Sequence, residues 1–324
     1  MQPAGDAGLV RIERREARIS QGVDDLERWL HDFARAGLAE AGARPWSNFE
    51  QMSARLVDAQ APGLARLVRE LGGLPYIATN WPERMLIDLG QLALLLDAWR
   101  GRRTLPADLR ADVRSLVGIN EPRDAVLASA AVSDTWTVLG RRVLVGERFV
   151  VQRTWLWGAV TRRWALLLEF AIAGQQLERR YVPGRAFSGE LHFYSGAVPL
   201  RALMAEPLQA SEETVASLPV QPIGGMLTTY AERLGRNPWL ERMPAGLDQV
   251  IPQRGRDEAW WLGDRNAGGA RLPCSGPLGW HLAALSGGHP IDVFGEWDGF
   301  SFWPLLVHAG ADQRLVPLRA PEAP

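Results

Sequence analysis

Four side chains able to move a proton or hold a cation, His289, Asp292, Glu296 and Asp298, fall within ten residues of one another in "LSGGHPIDVFGEWDGFSFWPL" (Leu285 to Leu305). Asp298-Gly299 is a strong two-residue hairpin signal. It predicts Trp297 opposite Phe300, with Asp292, Phe294 and Glu296 alternating on one strand face unless Gly295 forms a bulge. Four residues of extended strand span roughly 13 Å. Asp292 and Glu296 therefore share one metal ion only across a sharp bulge. His289 lies before Pro290 in the preceding turn, so the pair to test for acid–base chemistry, as in a hydrolase, is His289 with Glu296. The competing reading is a plain hairpin with a turn histidine, and no catalytic, cofactor or metal residue is assigned.

The other reactive types are scattered. His31 adjoins the apolar row of the first predicted helix, while His192, His281 and His308 fall in predicted strands, none with a second ligand at helix or strand spacing. Ser275 in "PCSGPLG" and Ser195 in "YSGA" lack the glycine two residues earlier that a nucleophile elbow requires. Cys274, between Pro273 and Ser275, reads as a small loop or strand residue. It is also the single cysteine, which excludes an internal disulfide and a multi-cysteine zinc site within these residues. All 36 basic residues are arginine. Without lysine there is no P-loop lysine, Schiff base or lysine general base. No Gly-rich dinucleotide or phosphate fingerprint is present.

Arginine pairs at 102 and 103, 141 and 142, 162 and 163, and 179 and 180 are candidates for phosphate contact, with Trp155, Trp157, Trp164, Trp260 and Trp261 as stacking partners. The net charge of −1 supplies no global attraction to nucleic acid, so such binding needs a local patch. A cytoplasmic location is expected from the lone cysteine, the opening "MQPAGDAG" and the lack of any apolar run of membrane-spanning length.

The elements that must position these residues divide by period. Ile12, Ile19, Leu26 and Phe33, with Val23 and Leu30, form a helical stripe, broken near Gly22. "RIERREAR" reads as a solvated face. "SNFE" (Ser47 to Glu50) is a capping box that starts a helix burying Phe49, Met52, Leu56 and Val57. Pro62 opens another, carrying Leu64, Leu67, Val68 and Leu71 and stopped by Gly72-Gly73. A helix after Pro82 buries Met85, Leu86, Leu89, Leu92, Leu95, Leu96 and Trp99, and one from Pro106 carries Leu109, Val113 and Leu116. From about Ser133, β-branched and aromatic residues between glycine turns give strand and hairpin patterning. The fold class is α+β: a helical N-terminal unit, residues 9–128, followed by antiparallel β-rich units with an intervening helical segment. These are a meander at 133–205, a linker and helical segment at 206–250, and a hairpin-rich segment at 256–317 that includes "GWHLAALSGG" as a strand and joins the meander in one sheet or barrel.

The blocks "VRIERREARISQGVDDLERWLHDFARAGLA", "FEQMSARLVDAQAPGLARLVREL", "WPERMLIDLGQLALLLDAWR", "RRWALLLEFA", "FYSGAVPLRAL", "NPWLERMP" and "LSGGHPIDVFGEWDG" give the chain a resemblance to the region that follows the zinc finger in bacterial SWIM zinc-finger family proteins. The resemblance spans about residues 9 to 317 and carries no catalytic signature. It implies a finger of three cysteines and one histidine, in C-x-C and C-x-H spacing, for which this sequence offers no ligands. No cofactor is therefore expected in this chain, and zinc only through a finger upstream; a finger-less relative is the other reading. The resemblance further implies a non-enzymatic accessory module of a multi-protein system, with a MoxR-type ATPase or a von Willebrand A-domain protein as partner. Nucleic acid is the alternative partner, and no membrane is expected.

Overall fold

The computed structural model describes residues 4–38, 46–77, 80–146, 149–172, 175, 177, 180–212, 218–256, 258–265, 269–309 and 314–318. It is an α+β protein that divides into two compact units: Met1–Pro122 with Ser195–Ala197, and Arg123–Tyr194 with Val198–Pro324. No helix among the described residues is long and apolar enough to cross a membrane.

The first unit is helical: α1 (Ala4–Ala36), α2 (Trp46–Asp58), α3 (Pro62–Ile77), α4 (Trp81–Arg100) and α5 (Ala107–Val117). Its core is drawn from the apolar stripes, with Ile19, Val23, Leu26, Phe33, Phe49, Leu56, Leu64, Val68, Leu95, Trp99 and Val113 all buried. Helices of this length are stable because such stripes dock on one another rather than by propensity alone.

Several expectations about these helices need correction. The chain is already helical at Trp46, so Ser47 sits inside α2 rather than capping it. α1 runs unbroken through Gly22, and α3 continues through Gly72-Gly73 and Pro75. Close packing is the reason: a Cβ on Gly72 would lie 2.7 Å from the Phe49 ring, and one on Gly22 2.7 Å from the Ala59 Cβ. Both glycines are contact points between helices, and the missing side chain lets the axes approach. Val57, Leu86 and Ile12 are exposed, and Leu67, Leu89, Leu109 and Leu116 are only half-buried. "RIERREAR" is not wholly solvated either, since Glu16 bridges Arg102 and Arg114.

The second unit opens with the short α6 (Arg123–Leu127) and holds two sheets rather than one. The first comprises β1 (Val132–Val145), β2 (Phe149–Gly158), β3 (Trp164–Ile172), β4 (Ala186–Phe193), β5 (Arg201–Leu203) and β6 (Gln209–Ser211). The second comprises β7 (Met243–Arg254), β8 (Trp260–Asp264), β9 (Arg271–Cys274), β10 (Ile291–Trp297), β11 (Phe302–Ala309) and β12 (Arg314–Pro317). Helix α7 (Ile223–Arg236) lies between the sheets in sequence, and α8 (Gly276–Ser286) between β9 and β10.

Each sheet closes on itself. β1 pairs with β2, β2 with β3, β3 in parallel with β5, β5 with β4, and β4 back with β1. The second repeats the circuit: β7 with β8, β8 with β9, β9 in parallel with β11, β11 with β10, and β10 with β7. A five-stranded barrel of order 1-2-3-5-4-1, with strands 3 and 5 parallel, is the Greek-key topology of the OB-fold. Closure requires a long, bent first strand shared by two neighbours. In β1 residues 132–137 face β4 and 136–145 face β2, with a register shift between Val138 and Gly140. β7 is shared likewise between β10 and β8.

Each barrel has its own interior, formed by Trp136, Val138, Leu156, Leu167 and Phe187 in the first and by Leu247, Leu262, Leu272, Val293 and Phe302 in the second. A third apolar cluster joins them, with Leu139, Trp155 and Leu166 from the first barrel meeting Phe294, Leu305 and Leu306 from the second. The barrels meet so tightly at Gly140 that a Cβ there would lie 2.7 Å from the Leu305 Cβ.

Two element readings change here. "GWHLAALSGG" is helix α8, not a strand: Leu278 and Leu282, one turn apart, are both buried, Pro277 occupies the first turn and left-handed Gly287 ends it. The segment read as linker and helix contains most of β7, because Asn237-Pro238 ends the helical run and the Asn237 side chain accepts the Trp239 amide.

Candidate functional site

Glu296 is a buried carboxylate held by charge in the second unit. It points outward from β10 toward the first barrel and is only 1% exposed. One oxygen accepts from Arg153 Nε at 2.7 Å and Trp155 Nε1 at 2.7 Å. The other accepts from Arg142 at 3.1 Å and lies 3.5 Å from Arg242. The register explains the convergence: Arg142 and Arg153 are direct cross-strand partners on β1 and β2, and Trp155 stands two residues further along the same face. Arg142 also lies over the Trp303 ring, 3.6 Å from its centroid.

Burial raises the Glu296 pKa, but the charge and hydrogen bond of Arg153, the Trp155 N–H and the Arg242 charge outweigh it and hold the carboxyl below the ordinary range. A general acid or base near neutrality needs the opposite shift and a free oxygen. This carboxylate is a structural anion whose oxygens accept three hydrogen bonds and face a further guanidinium. Removing one partner from a buried ion pair costs about 3–5 kcal/mol because the other charge stays buried.

His289 is not part of this arrangement. It is exposed in the turn after α8, with its backbone amide donating to Ser286. The structure does not bring His289 and Glu296 together. Asp292 shares the outward face of β10 with Phe294 and Glu296 as the alternation predicts, because the extra residue of the bulge, Leu305, lies on β11 opposite Gly295. Asp292 accepts both the backbone and side-chain amides of Gln249 at 3.0 Å, and His308 Nδ1 lies 3.7 Å from its other oxygen. Burial, then the Asp292 carboxylate, raises the Asp248 pKa. No local pattern marks this group, since its members come from β7, β10 and β11. Among the described residues no set of three or more His, Cys, Asp or Glu side chains is placed to hold a metal.

The hairpin turn differs from expectation. Trp297 pairs with Phe302, not Phe300, and the loop is four residues long. The Asp298 carboxylate accepts the amides of Phe300 and Ser301 at 3.0 and 2.8 Å, and only Gly299 takes a positive φ, +91°. A side-chain-capped turn thus replaces the two-residue one.

The remaining candidates have structural partners. Burial pushes the Cys274 thiol up to about 12, in the core of the second barrel. The amide of Ser275 donates to Phe302, and the amide and hydroxyl of Ser195 both face Glu121. His192 bonds the Ser129 carbonyl at 3.0 Å, exposed His281 faces the Pro277 carbonyl within α8, and His31 is exposed on α1. Of the arginine pairs, Arg102 is held by Glu16 and the Trp99 carbonyl, Arg142 by Glu296, and Arg163 lies over Phe193. Arg179 lies outside the described residues. Trp155 is fully buried, and Trp157 and Trp164 pack on one another beside Phe294.

Trp261 lies on the outer face of β7–β8–β9 with an arginine beside it. Trp260 and Leu262 point into the barrel, so Trp261 between them points out, opposite Pro273 and beside Gln253. Arg271 lies over Trp261 at 4.5 Å; Arg254, the cross-strand partner of inward Trp260, lies on the other face of β7, over Trp280 of α8. The alternation of "WWLGD" against "RLPC" was the signal that separates Trp261 from its inward neighbour.

Residues 14–117 match the family model of the SWIM-associated four-helix bundle domain. No curated protein matches the chain. Among solved structures, the crystal structure of the tetrameric p202 HIN2 is similar at 12% identity and a TM-score of 0.24, over 59% of this chain and 96% of that one. A similarity of that score carries no argument about function.

Proposed function

From the SWIM-associated four-helix bundle domain that this chain carries at residues 14–117, we infer that the protein is a non-enzymatic interaction module of a SWIM-family protein, with the tandem barrels as its binding body. The observation that supports this most is the repeated closed 1-2-3-5-4-1 circuit. That architecture presents outer strand faces and loops to macromolecules and carbohydrates. The Glu296 cluster fits the same reading, because Arg142, Arg153 and the Trp155 indole of the first barrel are committed to joining it to the second rather than to a substrate.

A MoxR-type ATPase or a von Willebrand A-domain protein is the partner class proposed, from the resemblance of the sequence blocks to SWIM zinc-finger proteins. Co-expression with each candidate from the same genome, followed by size-exclusion chromatography with light scattering, tests it. A stoichiometric complex is the expected result. Separate elution of every component at micromolar concentration removes that partner assignment.

A further inference from the structure

We propose that the outer face of β7–β8–β9 in the second barrel binds single-stranded nucleic acid, with Trp261 as its stacking platform. This deepens the reading of the chain as a binding module and rests on it. In an OB barrel the outer face of strands 2 and 3 and the loop between strands 1 and 2 are the ligand-facing parts. In the first barrel the corresponding face, with Trp155 and Leu166, is covered by Phe294, Leu305 and Leu306. In the second barrel it is open: Gln253 and Arg271 are exposed, and Trp261 is half-buried between them.

The chemistry on this face is that of a strand of bases on a polyanionic backbone. A flat indole with a guanidinium 4.5 Å from its centroid offers one stacking surface and one phosphate fork. Trp280 and Arg254 lie on the side of inward Trp260 and are not part of this face. Arg256 in the β7–β8 loop and Arg265 after β8 are also exposed. Against Arg271, Arg256 and Arg265 the described residues set Glu258 and half-buried Asp264; Asp257 lies outside the described residues. The chain as a whole carries a net charge of −1, and this face concentrates arginine against that average.

The test is fluorescence anisotropy of the full chain with a labelled oligothymidine of about 15 nucleotides, the upper range for one OB barrel. The affinity should fall with salt at a log–log slope of roughly −0.7 per phosphate contact. Trp261→Ala should weaken binding roughly five- to a hundredfold, and Trp261→Phe should restore most of it. Arg271→Ala should weaken binding and flatten the salt slope by about 0.7. Phe170→Ala, a change of an exposed ring on β3 of the first barrel, should leave affinity unchanged. All variants should keep the wild-type unfolding midpoint.

Absence of binding by the wild type, an unaffected Trp261→Ala protein, or loss of binding in Phe170→Ala instead overturns the proposal. Preference for duplex DNA, or salt-independent capture of a neutral oligosaccharide in its place, overturns the ligand class. A chain that binds a protein partner but no oligothymidine refutes this inference alone. One that binds oligothymidine but neither proposed protein removes only that partner assignment.

Discussion

The two barrels have the same strand order and the same parallel pairing of strands 3 and 5, yet they use the corresponding outer face in opposite ways. On the first, Leu139, Trp155 and Leu166 are sealed against the neighbouring barrel, with Arg142 and Arg153 neutralised by Glu296. On the second, Trp261 and Arg271 have no such cover among the described residues. Topology decides that a flat, laterally open strand face exists; side-chain chemistry decides whether it is spent on internal packing or left for a ligand.

The contrast is sharpest at the tryptophans. Trp155→Ala should destabilise the second unit by about 3–5 kcal/mol, through a large cavity and the loss of a hydrogen bond to Glu296. Trp261→Ala should change stability by less than about 1 kcal/mol. Urea unfolding of both proteins decides the matter, and equal losses would mean the two faces are not used differently.

Glu296→Gln should cost about 3 kcal/mol or somewhat less, since the amide keeps the shape while three arginines lose their counter-charge. It should also remove part of the acid sensitivity. The folded carboxyl titrates below its unfolded value, so its contribution is complete above the unfolded pKa of about 4.3 and disappears as pH falls through the folded value. The wild-type stability curve should therefore drop more steeply below pH 4.3 than that of the variant.

A glycine pair tests the same contrast with a single methyl group. Gly140→Ala forces a Cβ against Leu305 at the barrel junction and should cost about 1–3 kcal/mol. Gly263→Ala, on the open face, meets the end of the flexible Gln253 side chain and should cost under about 0.5 kcal/mol beyond its backbone effect.

An effect smaller than that at Glu296 is expected at Asp134, which caps the β2–β3 turn by accepting the amides of Val160 and Thr161 and the Thr161 hydroxyl. Burial raises its pKa, but those donors and the Thr135 amide outweigh it and leave it lowered. Asp134→Asn should cost about 1–2 kcal/mol near neutrality, as loss of a cap does, and the cost should shrink as pH falls through the lowered pKa. Thermal unfolding of the two proteins from pH 7 to pH 2 measures it.

Helices in the first unit were legible because a buried stripe repeats within a few residues and Pro62 and Pro82 mark their starts. What misled there, at Gly22 and Gly72-Gly73, was a glycine chosen for close helix packing rather than for ending a helix. Strand alternation was likewise local, and it placed Asp292, Phe294 and Glu296 on one face before any partner was known. The absence of lysine and the single cysteine excluded whole reaction classes by composition alone.

Barrel closure, the role of Glu296 and the difference between the two outer faces were decided only in three dimensions. Glu296 meets its partners Arg142, Arg153 and Trp155 across 154, 143 and 141 positions of chain. Local periodicity reports which way a side chain points, not what it points at. The carboxylate beside a turn histidine looked like chemistry because sequence proximity is visible, whereas the three guanidiniums that neutralise it arrive only when a bent first strand closes each sheet into a barrel.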